Sequence, residues 1–390
     1  VLPTIYLDYN ATWPLCREAR EAMVAWLTDD SFGNPSSVHA VGRRARAALG
    51  RARRQVAAWI GAPSSDELVF TSGGTEADNW ALWAAVHAGR RAGDAARGGH
   101  VISSPLEHPA VLEPLGRLRD EGVEVTLLPV DGCGRIDPQE LRSALRPDTL
   151  VVSLAGANHE LGNRYPIAEY AALCNERGVL FHTDCVQLAG KGALDVAALG
   201  ADLVTFSAHK IGGPKGVGAV WLRRPELGAV APVIVGGHQE RGRRGGTENL
   251  LGIVGFGAAA EVAGACSAQW QHQLRELRDR LEQGLVDLGG QLNGALAERL
   301  CNTVNVSFPG VAGDLLMTAL DLEGVCVSTG AACTSGSVRV SAVVQALGVA
   351  PERAAGATRF SLGPETSGEE IERVLQVVGP LVVRLRAAGG

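Results

Sequence analysis

Along the first two thirds of the chain, short apolar runs recur between amphipathic stretches. Runs at 67–71 (ELVFT), 100–103 (HVIS), 123–128 (VEVTLL), 150–154 (LVVSL), 179–182 (VLFH), 203–207 (LVTFS) and 217–222 (VGAVWL) read as strands. Their nearly continuous apolar character is what burial on both faces requires. Between them, 76–91, 138–145 and 167–177 carry apolar residues at helical spacing. Strand–helix alternation of this kind predicts an α/β fold with a mainly parallel sheet covered by helices on both faces. From about 257 the pattern changes to long helices, including 270–288 with interleaved Arg and Glu. An apolar run at 302–308, a Gly-rich loop and a final helix from 367 follow. That change predicts a second, smaller α/β unit.

Composition narrows the class. A chain of 390 residues is long enough for two or three compact units. A net charge of −6 argues against a nucleic-acid partner, which asks for a basic face, and favours small-molecule chemistry. No run approaches ~20 apolar residues, and no basic segment leads into an apolar one, so neither a membrane span nor a signal peptide is expected. The expected location is cytoplasmic. Eight cysteines without a CxxC spacing argue against a zinc site or a disulfide framework, and no metal is expected. Among 36 basic residues the only lysines are Lys191, Lys210 and Lys215.

Candidate chemistry gathers where strands end. The segment from Asp202 to Gly216 leaves an apolar strand with Ser207, His209 and Lys210 at its carboxyl end, where open α/β sheets bind ligands. A desolvated lysine there can form a Schiff base, although a lone lysine after a strand is more often solvated. In Phe70-Thr-Ser-Gly-Gly-Thr-Glu a strand passes into a helix through glycines, which makes Gly74 and Thr75 phosphate-binding candidates. The same residues also suit an ordinary capped helix start. Asp184 and Gln187 follow the 179–182 strand. A buried carboxylate there needs a cation, such as a protonated pyridine nitrogen, unless it merely caps the next helix.

Taken in order, Leu7-Asp-Tyr-Asn-Ala-Thr, Gly33-Asn-Pro-Ser-Ser-Val-His, Phe70-Thr-Ser-Gly-Gly-Thr-Glu, Glu107-His, His182-Thr-Asp, Ser207-Ala-His-Lys, Gln239-Glu-Arg-Gly, Gly246-Thr-Glu-Asn, Ala331-Ala-Cys-Thr-Ser-Gly and Arg359-Phe-Ser-Leu-Gly span nearly the whole chain. This set resembles the cysteine desulfurases, of the class V aminotransferase group of pyridoxal 5′-phosphate (PLP) enzymes. The resemblance implies an aspartate-aminotransferase-like (type I) fold, with residues 15–256 as the PLP-binding domain and 1–14 with 257–390 as the small domain. It also implies a homodimer with the active site at the subunit boundary. Lys210 would carry PLP, Asp184 would pair with the ring nitrogen, Gln187 would contact the phenolic oxygen, and His108 would stack on the ring. Gly74, Thr75, Ser207 and His209 would hold the phosphate, joined by Thr247 from the neighbouring subunit. Arg359 would grip the substrate carboxylate, and Cys333 would attack the substrate sulfur before delivery to an acceptor protein.

Two residues depart from the family pattern. His159 stands where the family usually has asparagine beside the cofactor and substrate carboxylate, and Trp13 where it usually has threonine. A histidine there can mimic the amide donor or act as acid or base. An indole can contact substrate, or simply pack at the domain junction. Two activities are therefore expected in competition. One is desulfuration of L-cysteine through Cys333. The other is C–S lysis, or decarboxylating deamination, of an S-substituted cysteine or selenocysteine. A catalytically silent scaffold is disfavoured by the intact set of Lys210, Asp184, His108 and Arg359.

Overall fold

The structure, a computed structural model, describes residues 4–28, 32–92, 99–192, 194–224, 227, 232–294, 298–330 and 340–389. Strand β1 (Ile5–Tyr6) precedes β2 (Leu68–Thr71), β3 (His100–Ser103), β4 (Glu124–Leu127), β5 (Thr149–Ser153), β6 (Leu180–Asp184), β7 (Leu203–Ser207) and β8 (Gly218–Leu222). Strands β2 to β8 form one sheet in the order β2-β8-β7-β6-β5-β3-β4. Only β8 runs against its neighbours. A parallel return needs a crossover of a dozen or more residues. The link from β7 to β8 is too short for one, so it turns back on itself and holds His209 and Lys210 at the sheet edge. Close packing secures the turn: a Cβ on Gly218 would lie 2.6 Å from both Gly73 C and Phe206 O.

A second sheet, β12-β13-β10-β9, is built from β9 (Gln291–Leu292), β10 (Thr303–Ser307), β12 (Ser328–Thr329) and β13 (Ala357–Ser361). Strand β11 (Val325–Cys326) pairs in parallel with β1, which ties the start of the described chain to this region.

The helix Leu250–Asp287 departs from expectation, because it runs unbroken through the expected domain boundary at 257. Its first half, with Ile253, Phe256 and Ala260, belongs to the core around the large sheet. Its second half, with Leu274, Leu281 and Leu285, belongs to the core of the small one. Its early glycines weaken the helical signal, but they permit close approach: a Cβ on Gly257 would lie 2.8 Å from Ala52 Cα. The apolar half is long enough to cross a membrane by length and composition. Here Phe256, Ala259 and Ala263 are fully buried in the fold.

Candidate active site

A cavity of about 260 Å³ opens between the ends of the central strands and the start of the helix Gly74–Ala92. Lys210 enters it from the single turn Ala208–Lys210. Its Nζ donates to the backbone oxygens of Asn10, at 2.6 Å, and Ala11, at 2.9 Å. Beside it, His209 shares a 3.2 Å hydrogen bond between Nδ1 and Thr12 Oγ1. Burial, with Lys210 next, pushes this imidazole down to about 4.

Opposite stands Asp184, the last residue of β6, whose Oδ1 accepts from Val186 N at 2.8 Å. Burial pushes the carboxyl up to about 7, and Asp78 adds to the shift. Asp78, also on the cavity wall, accepts from Thr205 Oγ1 at 2.5 Å and is itself pushed up to about 7 by burial. Two buried acids thus create a demand for positive charge. Asp78 was not singled out from sequence, and its only signal there is an acidic residue among Ala77, Trp80 and Ala81, which line the buried face of its helix.

His108 caps the helix Pro109–Asp120, with Nδ1 accepting from Ala110 N at 3.0 Å. Burial, then His159 and Lys210, push it down to about 3, so a neutral ring faces the cavity. His159 meets it edge to face, with centroids 5.1 Å apart and planes at 76°. His159 Nε2 lies 3.5 Å from Glu160 Oε1. Despite burial, Glu160 stays below the usual carboxylate range because His159 and Ser341 hydrogen-bond to it.

These residues fit PLP. Gly74 and Thr75 open a helix, where the first amides have no carbonyl one turn back and the dipole favours an anion. The space is tight, since a Cβ on Gly74 would lie 3.1 Å from Val186 Cγ2 and 3.5 Å from Ser207 Cβ. The cavity therefore offers a phosphate seat at Gly74 and Thr75, with Ser207 adjoining, and a buried acid, Asp184, for a ring nitrogen. The neutral imidazole of His108 and the amine of Lys210 line the same cavity. Gln187 completes the wall, with its Nε2 donating to Asn10 O at 2.9 Å.

Other expected residues lie elsewhere. Arg359, on β13, is buried behind His159; its Nη1 donates to His159 O at 3.0 Å and its Nη2 to Asp8 Oδ1 at 2.8 Å. Trp13, offered as a substrate contact, is not among the residues lining the cavity. It is 6 % exposed and packs edge-on between Tyr9 and Trp270, at 5.7 and 5.5 Å, which makes it a junction residue. Thr247 lines a separate concavity of about 160 Å³ with Thr71, Ser72 and Arg244. Cys333 lies outside the described residues.

Comparison with known proteins agrees with this geometry. The class-V aminotransferase family model matches residues 5–374. A cysteine desulfurase IscS of Methanosarcina thermophila is 43 % identical over 383 residues, covering 98 % of this chain and 93 % of that protein. Among solved structures, a NifS-like protein superposes with a TM-score of 0.89 at 34 % identity, covering 98 % of this chain and all of the other. The structure of SspA in complex with cysteine gives 0.79 at 32 % identity over 93 % of this chain and 100 % of that one. With so extensive a match around a cavity already suited to a pyridoxal ring, the chain belongs to the class-V aminotransferase family and is a PLP-dependent enzyme.

Proposed function

We propose that the enzyme is a cysteine desulfurase, converting L-cysteine to L-alanine and carrying the sulfur as a persulfide on Cys333. The observation that carries this reading is the convergence of Lys210, Asp184, His108 and His159 on one cavity, in a chain so similar to a cysteine desulfurase. A related structure holds cysteine itself.

Bound PLP supplies an electron sink at the substrate α carbon. Asp184 would pair with the ring nitrogen and keep it protonated, and the neutral imidazole of His108 would lie against the ring. Lys210 would hold the group, and its Nζ, when free, would take the substrate α proton. Arg359 receives the substrate carboxylate on its planar fork. The Cys333 thiolate attacks the substrate sulfur: an S–S bond forms and the C–S bond breaks. The electron pair stays on the β carbon, which takes a proton, and the α carbon regains the proton Lys210 removed, giving alanine.

The reading includes a homodimer, in which Thr247, lining a concavity apart from the Lys210 cavity, would reach a second copy's phosphate. The persulfide would pass to a sulfur-acceptor protein in the cytoplasm. His159 favours a second reading, lysis of an S-substituted cysteine or selenocysteine, because an imidazole backed by Glu160 can move a proton where an amide cannot.

Product analysis of the PLP-loaded enzyme with L-cysteine and a reductant tests the choice. Equal sulfide and alanine, both lost in Cys333→Ala, is the expected result. Pyruvate, or no turnover of free cysteine despite normal yellow absorbance, would overturn it in favour of the substituted substrate.

A further inference from the structure

Lys191 is 2 % exposed, and the chemistry above gives it no task. Its Nζ meets two oxygens: Asn10 Oδ1 at 3.0 Å and Gln187 Oε1, four residues back, at 2.5 Å. Burial, with Lys210 next, pushes its amine well below the usual lysine range. Charged or neutral, the amine has N–H bonds for both oxygens.

Two primary amides thereby lose their freedom to turn over. With its oxygen held by Lys191, Gln187 directs Nε2 to Asn10 O at 2.9 Å. The oxygen of the Asn10 amide is shared between Lys191 and Asn302 Nδ2, the latter at 3.1 Å. Its Nδ2 is therefore left for Thr303 Oγ1, at 2.9 Å, and His159 O, at 3.3 Å. Asn10 O in turn accepts from both Gln187 Nε2 and Lys210 Nζ.

We infer that Lys191 is a positioning residue, which orients the Gln187 amide so that the cavity beside Lys210 meets an N–H donor and not a carbonyl oxygen. The inference rests on the reading that Gln187 faces the phenolic oxygen of PLP. A donor there favours the anionic oxygen, whereas an inverted amide would repel it.

The test is a pH titration of the cofactor absorbance of the holoenzyme, with PLP content and melting temperature as controls. Wild type, Lys191→Met, Gln187→Leu and the double variant are compared. Each single variant is expected to raise the midpoint of the yellow band by about one pH unit. The double variant moves it no further, because both act through one donor. An unmoved midpoint in Lys191→Met beside a moved one in Gln187→Leu overturns the inference, as does full additivity. An unmoved midpoint in Gln187→Leu removes the underlying reading and the inference with it. Should Lys191→Met fail to fold, Lys191→Ser decides the matter, since it removes the amine from Gln187 Oε1 while leaving a polar side chain and room for water. A raised midpoint is then expected, and an unmoved midpoint, whatever the melting temperature, overturns the inference.

Discussion

Arg359 donates from Nη2 to Asp8 Oδ1 at 2.8 Å and from Nη1 to His159 O at 3.0 Å, so both arms of its fork are held in place. A planar guanidinium held this way can still offer N–H bonds to a carboxylate, whereas an ammonium cannot reproduce the paired geometry. Arg359→Lys is expected to raise KM for L-cysteine by roughly 10- to 100-fold, the loss of one charge-assisted bond. Steady-state kinetics check this, and a loss confined to kcat would place the substrate carboxylate elsewhere.

Trp13 stacks edge-on against Trp270, and its buried Nε1 has no hydrogen-bond partner. Trp13→Phe therefore forfeits no hydrogen bond, and KM for cysteine should stay within about twofold of wild type. Trp13→Ala should cost about 3–5 kcal/mol of stability by leaving a cavity. Urea denaturation alongside kinetics separates packing from substrate contact.

Arg53 and Glu240 form a buried ion pair, in which Arg53 also donates to Leu68 O at 2.7 Å and Glu240 accepts from Phe70 N at 3.0 Å. Glu240 and Arg241 have φ values of 47° and 61°, so the pair secures a left-handed turn just before Thr247. Arg53→Met leaves a buried carboxylate alone and is expected to cost about 3–5 kcal/mol. Denaturation reads the loss, and reduced PLP affinity would report that the turn serves the site.

The Asp184 carboxyl titrates at about 7 in the fold, against about 3.9 in an unfolded chain. A raised acid contributes stability below the unfolded value and loses that contribution as pH rises through the folded one. The PLP-free protein should thus lose melting temperature from about pH 4 to pH 7, and Asp184→Asn should lose less. Equal slopes in the two proteins would show that Asp184 does not titrate there.

The large sheet and much of the cavity were legible because their signals are local. Lys210 is announced by a strand end followed by His209, and Gly74 and Thr75 by a strand–glycine–helix junction. Strands β3 and β7 fall on their expected residues. Asn10 was not legible as the hub of the site, since its partners Asn302, Thr303 and Lys191 are tertiary neighbours. For Trp13 the sequence left substrate contact and junction packing both open, because Trp270, its partner, is distant along the chain. The helix Leu250–Asp287 was cut short in the sequence reading because glycines that favour packing also lower helix propensity.

The pairing of the chain's beginning with its later part sets an order of assembly. Asn10 N donates to Ser361 Oγ across a separation of 351 residues, and β1 lies against β11. While the chain is being made, residues 5–12 meet Gln187, Lys191 and Lys210 first, and wait for some partners more than 300 positions downstream. Lys210 emerges before Ser361, so the segment that brackets it through Asn10 and Ala11 gains its β13 contact only later. A ribosome-stalled chain ending before β13 is accordingly expected to display the lysine while holding the coenzyme less tightly than the finished protein.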